Sequence, residues 1–252
     1  MRSFLRPALG FAFILSATPA LAQESKTFTV NGSATLTSDY RFRGISQTDK
    51  NFALQGSLTV SHASGAYVGV WGSSVDDYIA NGGDQELDLI AGFKKTIGGT
   101  TVDVGGVYYY YPGSSQLSAN YNSDFLELYG SVAQTFGPAT AKLTANYAPK
   151  AAALALDDVK KDNFYLNLAL SSPIPNTPIS LSAAVGHSFT KSFLSGGEKY
   201  TDWSVGATYT TGPVTLGLTY VDTDYGKNVI TNPVSGKDLA KAGIFGSVGV
   251  AF

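Results

Sequence analysis

From Phe28 to Phe42 the chain alternates without interruption. Phe28, Val30, Gly32, Ala34, Leu36, Ser38, Tyr40 and Phe42 share one parity, and Thr27, Thr29, Asn31, Ser33, Thr35, Thr37, Asp39 and Arg41 share the other. Successive side chains of a strand point to opposite faces, so this spacing predicts a β-strand with one apolar and one polar face. Such a strand exceeds the about five or six residues of an ordinary soluble one. About ten residues of it, tilted, would cross a bilayer. Tyr40 and Phe42 fall at its far end, where an interfacial aromatic girdle is expected.

The N-terminus reads as an export signal. Arg2 and Arg6 precede an apolar run from Ala8 to Ala17, and Ala20, Leu21 and Ala22 follow, the layout of a secretory signal peptide with cleavage after Ala22. Residues 1–22 are thus assigned to the signal and 23–252 to one mature domain. Loss of the two arginines leaves 15 basic against 19 acidic residues, a balance of −4, and nothing points to a nucleic-acid partner. There is no cysteine, which removes disulfides and thiolate chemistry. Charged residues make up 14 % of the chain, against about 25 % in typical soluble domains. Beyond the signal, no run approaches the roughly 18 apolar residues of a membrane helix.

The same alternation recurs along the chain. It predicts strands near 52–61, 66–75, 85–97, 101–111, 124–136, 139–147, 164–170, 179–189, 203–209, 214–220 and 244–252. With the first, these make about twelve. The breaks alternate in length: 42–52, 76–84, 112–123, 149–162, 190–200 and 222–241 are long, and those at His62–Gly65, Gly98–Gly99, Gly137–Pro138, Ser171–Pro178 and Gly212–Pro213 are short. An even strand number with tight turns on one side and long loops on the other predicts an all-β fold, a transmembrane antiparallel up-and-down β-barrel of about 12 strands. Both termini would be periplasmic. The expected surroundings are outer-membrane lipid and lipopolysaccharide, and the last strand, ending in the aromatic Phe252, is the expected handle for the barrel-assembly machinery.

The run Ser38-Asp39-Tyr40-Arg41-Phe42-Arg43-Gly44-Ile45-Ser46-Gln47-Thr48-Asp49 resembles the opening motif of the TorF family of porins, a bacterial group also described only as a conserved hypothetical family. Gln55-Gly56, the segment Ser64 to Ser73 and Glu86-Leu87-Asp88 resemble its next segments in order, with Ser74 where an Asn is usual. The resemblance implies an outer-membrane location and a pore. It brings no catalytic residue.

If apolar faces meet lipid, the opposite parity lines the lumen. That places Asp39 and Arg41 on strand one, Glu86 and Asp88 on strand four, Asp103 on strand five, Glu127 on strand six and Lys142 on strand seven as pore-lining residues. A barrel of about twelve strands spaced by about 4.8 Å and tilted by about 40° has a backbone radius of roughly 12 Å, so these charges would either govern passage as rings along a pore or plug the lumen as an internal salt-bridge network. The clustered acids predict a weak preference for cations. Arg41 is expected to oppose the acids from across the lumen, with Arg43 beyond the strand in solvent. Tyr108 to Tyr111 would divide between girdle and lumen. Of the two histidines, His187 neighbours Ser188, but adjacent strand residues face opposite ways, so no hydrolytic pair forms. The expected function is passive diffusion of small hydrophilic solutes or ions, without cofactor or metal. A closed structural or adhesion barrel is the alternative.

Overall fold

The computed structural model describes residues 27–114 and 122–252. The predicted signal peptide and part of the predicted loop 112–123 lie outside them. Twelve strands form a closed barrel. They are β1 (Phe28–Thr37), β2 (Ala53–His62), β3 (Ala66–Ser74), β4 (Gln85–Ile97), β5 (Thr100–Tyr110), β6 (Phe125–Phe136), β7 (Ala139–Leu156), β8 (Val159–Pro173), β9 (Ile179–Ser188), β10 (Tyr200–Thr211), β11 (Val214–Thr223) and β12 (Gly243–Ala251). Each pairs antiparallel with its neighbours in sequence. The ring closes where β1 meets β12, from Ser33 opposite Ala251 to Thr37 opposite Ser247. Closure leaves no sheet edge. Among the described residues the one helical element is a 3₁₀ turn at Phe193–Ser195, and no helix is long and apolar enough to cross a membrane.

The burial pattern is inside out. On β4, Leu87, Leu89 and Phe93 are exposed, whereas Glu86 and Asp88 retain only 4 % and 2 % of their accessible surface. Exposed apolar side chains in period two around the whole ring are what a lipid-facing surface requires. Aromatic side chains mark both rims. Tyr108, Tyr110, Tyr147 and Tyr220 are exposed toward the long-loop end, and Phe28, Phe136, Tyr209 and Phe252 toward the other.

Three sequence expectations fail. The first strand stops at Thr37, because the chain from Ser38 turns into the barrel. Tyr40 is therefore buried and forms no girdle. The expected loop 149–162 is strand: β7 and β8 run on to a two-residue turn at Asp157 and Asp158, whose φ values of 49° and 63° suit the primed turns of hairpins. Pairing of β7 with β6 ends at Tyr147 opposite Leu128. Pro149 thus lies where the strand has a free edge, and its missing N–H removes no bond to β6. The resulting hairpin projects past its neighbours and buries Ala153 and Leu154 against the loops. Finally, the break expected from Ser171 to Pro178 is shorter, since β8 continues to Pro173.

Inside the ring, tyrosines lie across glycines of the adjacent strand. Tyr165 on β8 passes over Gly186 on β9 to donate a 2.8 Å hydrogen bond to Asp202 on β10. A Cβ at Gly186 would collide with the Tyr165 hydroxyl. Gly186→Ala is therefore expected to destabilise the barrel by about 1–3 kcal/mol, the usual cost of overpacking, read as a lower urea midpoint. An unchanged midpoint would show that Tyr165 has a second resting place. On the other side of the ring, Tyr67 and Tyr129 cross Gly92 and Gly105, and their hydroxyls meet beside Asp103.

Candidate functional site

The segment after β1 is built to enter the lumen. Asp39 accepts from Ser46 Oγ at 2.6 Å and from Arg41 Nε at 2.6 Å, and Thr48 Oγ1 accepts the Tyr40 N–H. These bonds shape a small antiparallel ladder, Arg41 opposite Ser46 and Phe42 opposite Ile45. Its turn is Arg43-Gly44, with φ values of 49° and 84°. Gly44 is needed twice over, for its positive φ and because a Cβ there would strike Thr223 on the barrel wall.

Arg43 carries this hairpin across the lumen. Its Nη2 donates to both oxygens of Glu127 on β6, at 2.8 and 2.6 Å, and its Nη1 donates to Asn163 Oδ1 at 3.1 Å. The guanidinium also lies 4.1 Å from the Tyr165 ring and 4.7 Å from that of Phe42. The Tyr200 hydroxyl on β10 holds the Arg43 carbonyl at 2.9 Å. Since β6 stands nearly half-way round the ring from β1, the hairpin and the Arg43 side chain together span the channel. Burial pulls the Arg43 pKa down, but the Glu127 carboxylate more than offsets this and leaves it raised, so Arg43 remains a cation.

Arg41, the residue expected to face the acids, does not. It pairs with Asp39 and donates to the carbonyls of Gly44, Leu239 and Lys241, which ties the first loop to the last. The tie is extended by Ser46 N–H to the Leu239 carbonyl and by Lys237 to Asp49 at 3.0 Å. Arg43 has taken the facing role because the turn, not the strand, decides which arginine points inward.

The expected pore-lining acids are all buried, yet they fall on two levels. Glu86, Asp88 and Glu127 sit near the long-loop end. Glu86 accepts the hydroxyls of Tyr40 and Tyr111 on separate oxygens, both at 3.1 Å. Burial first, and then the charges of Glu86 and Asp88, push the Tyr40 phenol well up, so it stays a donor. Asp88 faces Tyr109 across the β4–β5 ladder, and both the Asp88 Oδ1 and the Tyr109 hydroxyl lack a hydrogen-bond partner among the described residues. Asp103 lies six residues farther along β5, about 20 Å at the usual strand rise, and accepts from Tyr67 at 2.7 Å. Lys142 is buried near that lower level and forms no salt bridge among the described residues. The single acidic wall expected from parity is therefore split. Asp202, inward on β10 and bonded to Tyr165, was missed, although the outward parity of its neighbours Trp203 and Val205 would have located it. Asn163 and Tyr200 carried no comparable signal.

Above the hairpin lies a cavity of about 290 Å³. Every connection on the long-loop side contributes to it: Phe42 and Gln47, Tyr78 and Ile79, Tyr111 and Ser123, Leu154 and Leu156, Phe193 and Leu194, and Val229 and Ile230. Tyr109 and Phe125, stacked with centroids 4.4 Å apart, form part of its wall with Glu86. His187 bonds Thr201 while Ser188 accepts from Asn163, so these neighbours share no bond.

No curated protein matches the chain. Its fold is that of solved outer-membrane channels. The NanC porin superposes with a TM-score of 0.55 at 10 % identity, covering 89 % of this chain and 99 % of that one. The COG4313 outer membrane channel from Pseudomonas putida F1 superposes with a TM-score of 0.52 at 11 % identity, covering 94 % and 99 %. At such identities the likeness is one of fold, a twelve-stranded porin-like barrel of the outer-membrane kind. The family model described as "Bacterial protein of unknown function (Gcw_chp)" matches residues 21–252, and the chain belongs to that family.

Proposed function

We propose that the protein is an outer-membrane channel for passive diffusion of small hydrophilic solutes, narrowed at one level by the inward hairpin 41–46. The observation that carries this reading is the state of the lumen below the hairpin. Ser182 on β9 faces inward and is nevertheless exposed, and Ser33, Ser57, Thr59, Thr208 and Ser247 are half-buried. Small polar side chains with accessible surface describe a wetted passage, not a packed core. We read the group as the one also called TorF porins, residues 1–22 as its export signal, and the last strand ending in Phe252 as the segment presented to the assembly machinery. Outer-membrane lipid and lipopolysaccharide are its surroundings in this reading, and it performs no catalysis. In a planar bilayer, purified protein should give steps of single-channel conductance. Their absence would favour a closed structural barrel, the reading supported by the packing around Tyr40 and Tyr109.

Among the described residues Glu86 and Asp88 have no basic partner within salt-bridge distance, whereas Arg41 and Arg43 are each paired. Incomplete neutralisation predicts a weak preference for cations, reduced by salt because screening acts over about 10 Å at 0.1 M. A reversal potential of the anion-selective sign would refute it. With both termini periplasmic, Val234→Cys, at a site 88 % exposed in the last long loop, should label on intact cells with an impermeant maleimide. Pro175→Cys, in a short turn, should not. The opposite pattern would invert the orientation.

A further inference from the structure

The vestibule above the hairpin has a chemical bias that a general diffusion pore does not need. Six aromatic side chains, Phe42, Tyr78, Tyr109, Tyr111, Phe125 and Phe193, line a cavity of about 290 Å³, small enough to admit only a compact organic molecule. Aromatic faces present negative electrostatic potential and attract cations, best when water is excluded. Glu86 belongs to the same wall. Its oxygens accept the Tyr40 and Tyr111 hydroxyls, which hold the carboxyl in place in that wall.

The charges nearby do not balance. Glu86 lines the cavity, Asp88 and Glu127 lie close by but outside its lining, and the nearby Arg43 is committed to Glu127 and Asn163. Arg41 is spent on Asp39 and three backbone carbonyls. Asp88 Oδ1 and the Tyr109 hydroxyl, both buried, have no hydrogen-bond partner among the described residues. Among the described residues the cavity lining holds one acidic side chain, no basic one, and largely apolar walls. A bare inorganic ion would leave those walls unused, and an anion would find no basic side chain among the described residues of the lining.

From this we infer that the vestibule binds a small organic ammonium ion with an apolar body, the rings enclosing the cation and Glu86 supplying the counter-charge. This deepens the channel reading by naming the class of solute held at the entrance. Phe193 and Val229 are exposed and stand at the rim through which such a solute would enter.

Isothermal titration calorimetry on the detergent-folded full barrel tests it with three probes of similar size. Benzyltrimethylammonium should bind saturably and at least about tenfold more tightly than benzoate or benzyl alcohol. Glu86→Gln should weaken that binding by a similar factor. Phe193→Ala, in a surface loop outside the barrel wall, should weaken it several-fold while the folded form keeps its gel mobility, so the proposal stays testable if Glu86→Gln fails to fold. Equal binding of benzoate, or ammonium binding indifferent to Phe193→Ala, would overturn the inference. Potassium conductance, recorded separately, keeps the two readings apart. Conductance without benzyltrimethylammonium binding would overturn this inference alone, and binding without conductance would overturn the channel reading alone.

Discussion

Arg43→Ala is expected to lower the stability of the barrel by about 3–5 kcal/mol, the usual cost of leaving one member of a buried ion pair uncompensated. The cost arises because Glu127, 2 % exposed in its side chain, would lose the only basic group within salt-bridge distance among the described residues. The same change should free the hairpin 41–46 from β6 and β8, since Arg43 supplies both side-chain contacts to them. Larger and noisier single-channel conductance is the expected result. The two effects can be separated. Arg43→Met with Glu127→Leu removes both charges, and apolar replacement of a buried pair is often neutral or stabilising, so the double variant should regain stability in urea titrations. Unchanged conductance in Arg43→Ala would show that the hairpin does not set the narrowest level.

Leu168→Arg should destabilise the folded barrel by roughly 2–4 kcal/mol, whereas Asn167→Arg should be nearly neutral. Leu168 is exposed and pairs with Leu143 and Val185 in the middle of three strands. An arginine there would stand in hydrocarbon. Asn167 faces the lumen, where its amide reaches the Val185 carbonyl at 3.3 Å, and a longer cation would find water and the Asp202 carboxylate on the same inner face. Urea unfolding in lipid vesicles, followed by the gel shift between folded and heat-unfolded forms, reads both variants. Equal losses at 167 and 168 would contradict the alternation of faces.

The alternation was legible because a lipid-facing strand must repeat it at every second residue, whatever the neighbouring strands do. Leu87 against Glu86, and Leu168 against Asn167, identify the two faces from the sequence alone, and strand number and the burial of all the expected acids follow from the same rule. Parity says nothing about height in the barrel. Asp103 shares a face with Glu86 and yet lies near the opposite rim, because that depends on where each strand begins.

What the sequence determined by itself is therefore a closed antiparallel barrel with an apolar outside and a charged inside, a consequence of period-two patterning against lipid. Only the tertiary structure decided what fills that inside. The chain after Thr37 leaves the strand because Asp39, Ser46 and Thr48 satisfy one another in a compact turn, a local competition that alternation cannot register. Once turned inward, Arg43 and not Arg41 reaches Glu127, and residues from six separate connections close over a single aromatic cavity. Those partners are remote in sequence, and they meet only because closing the ring sets the six connections over one mouth.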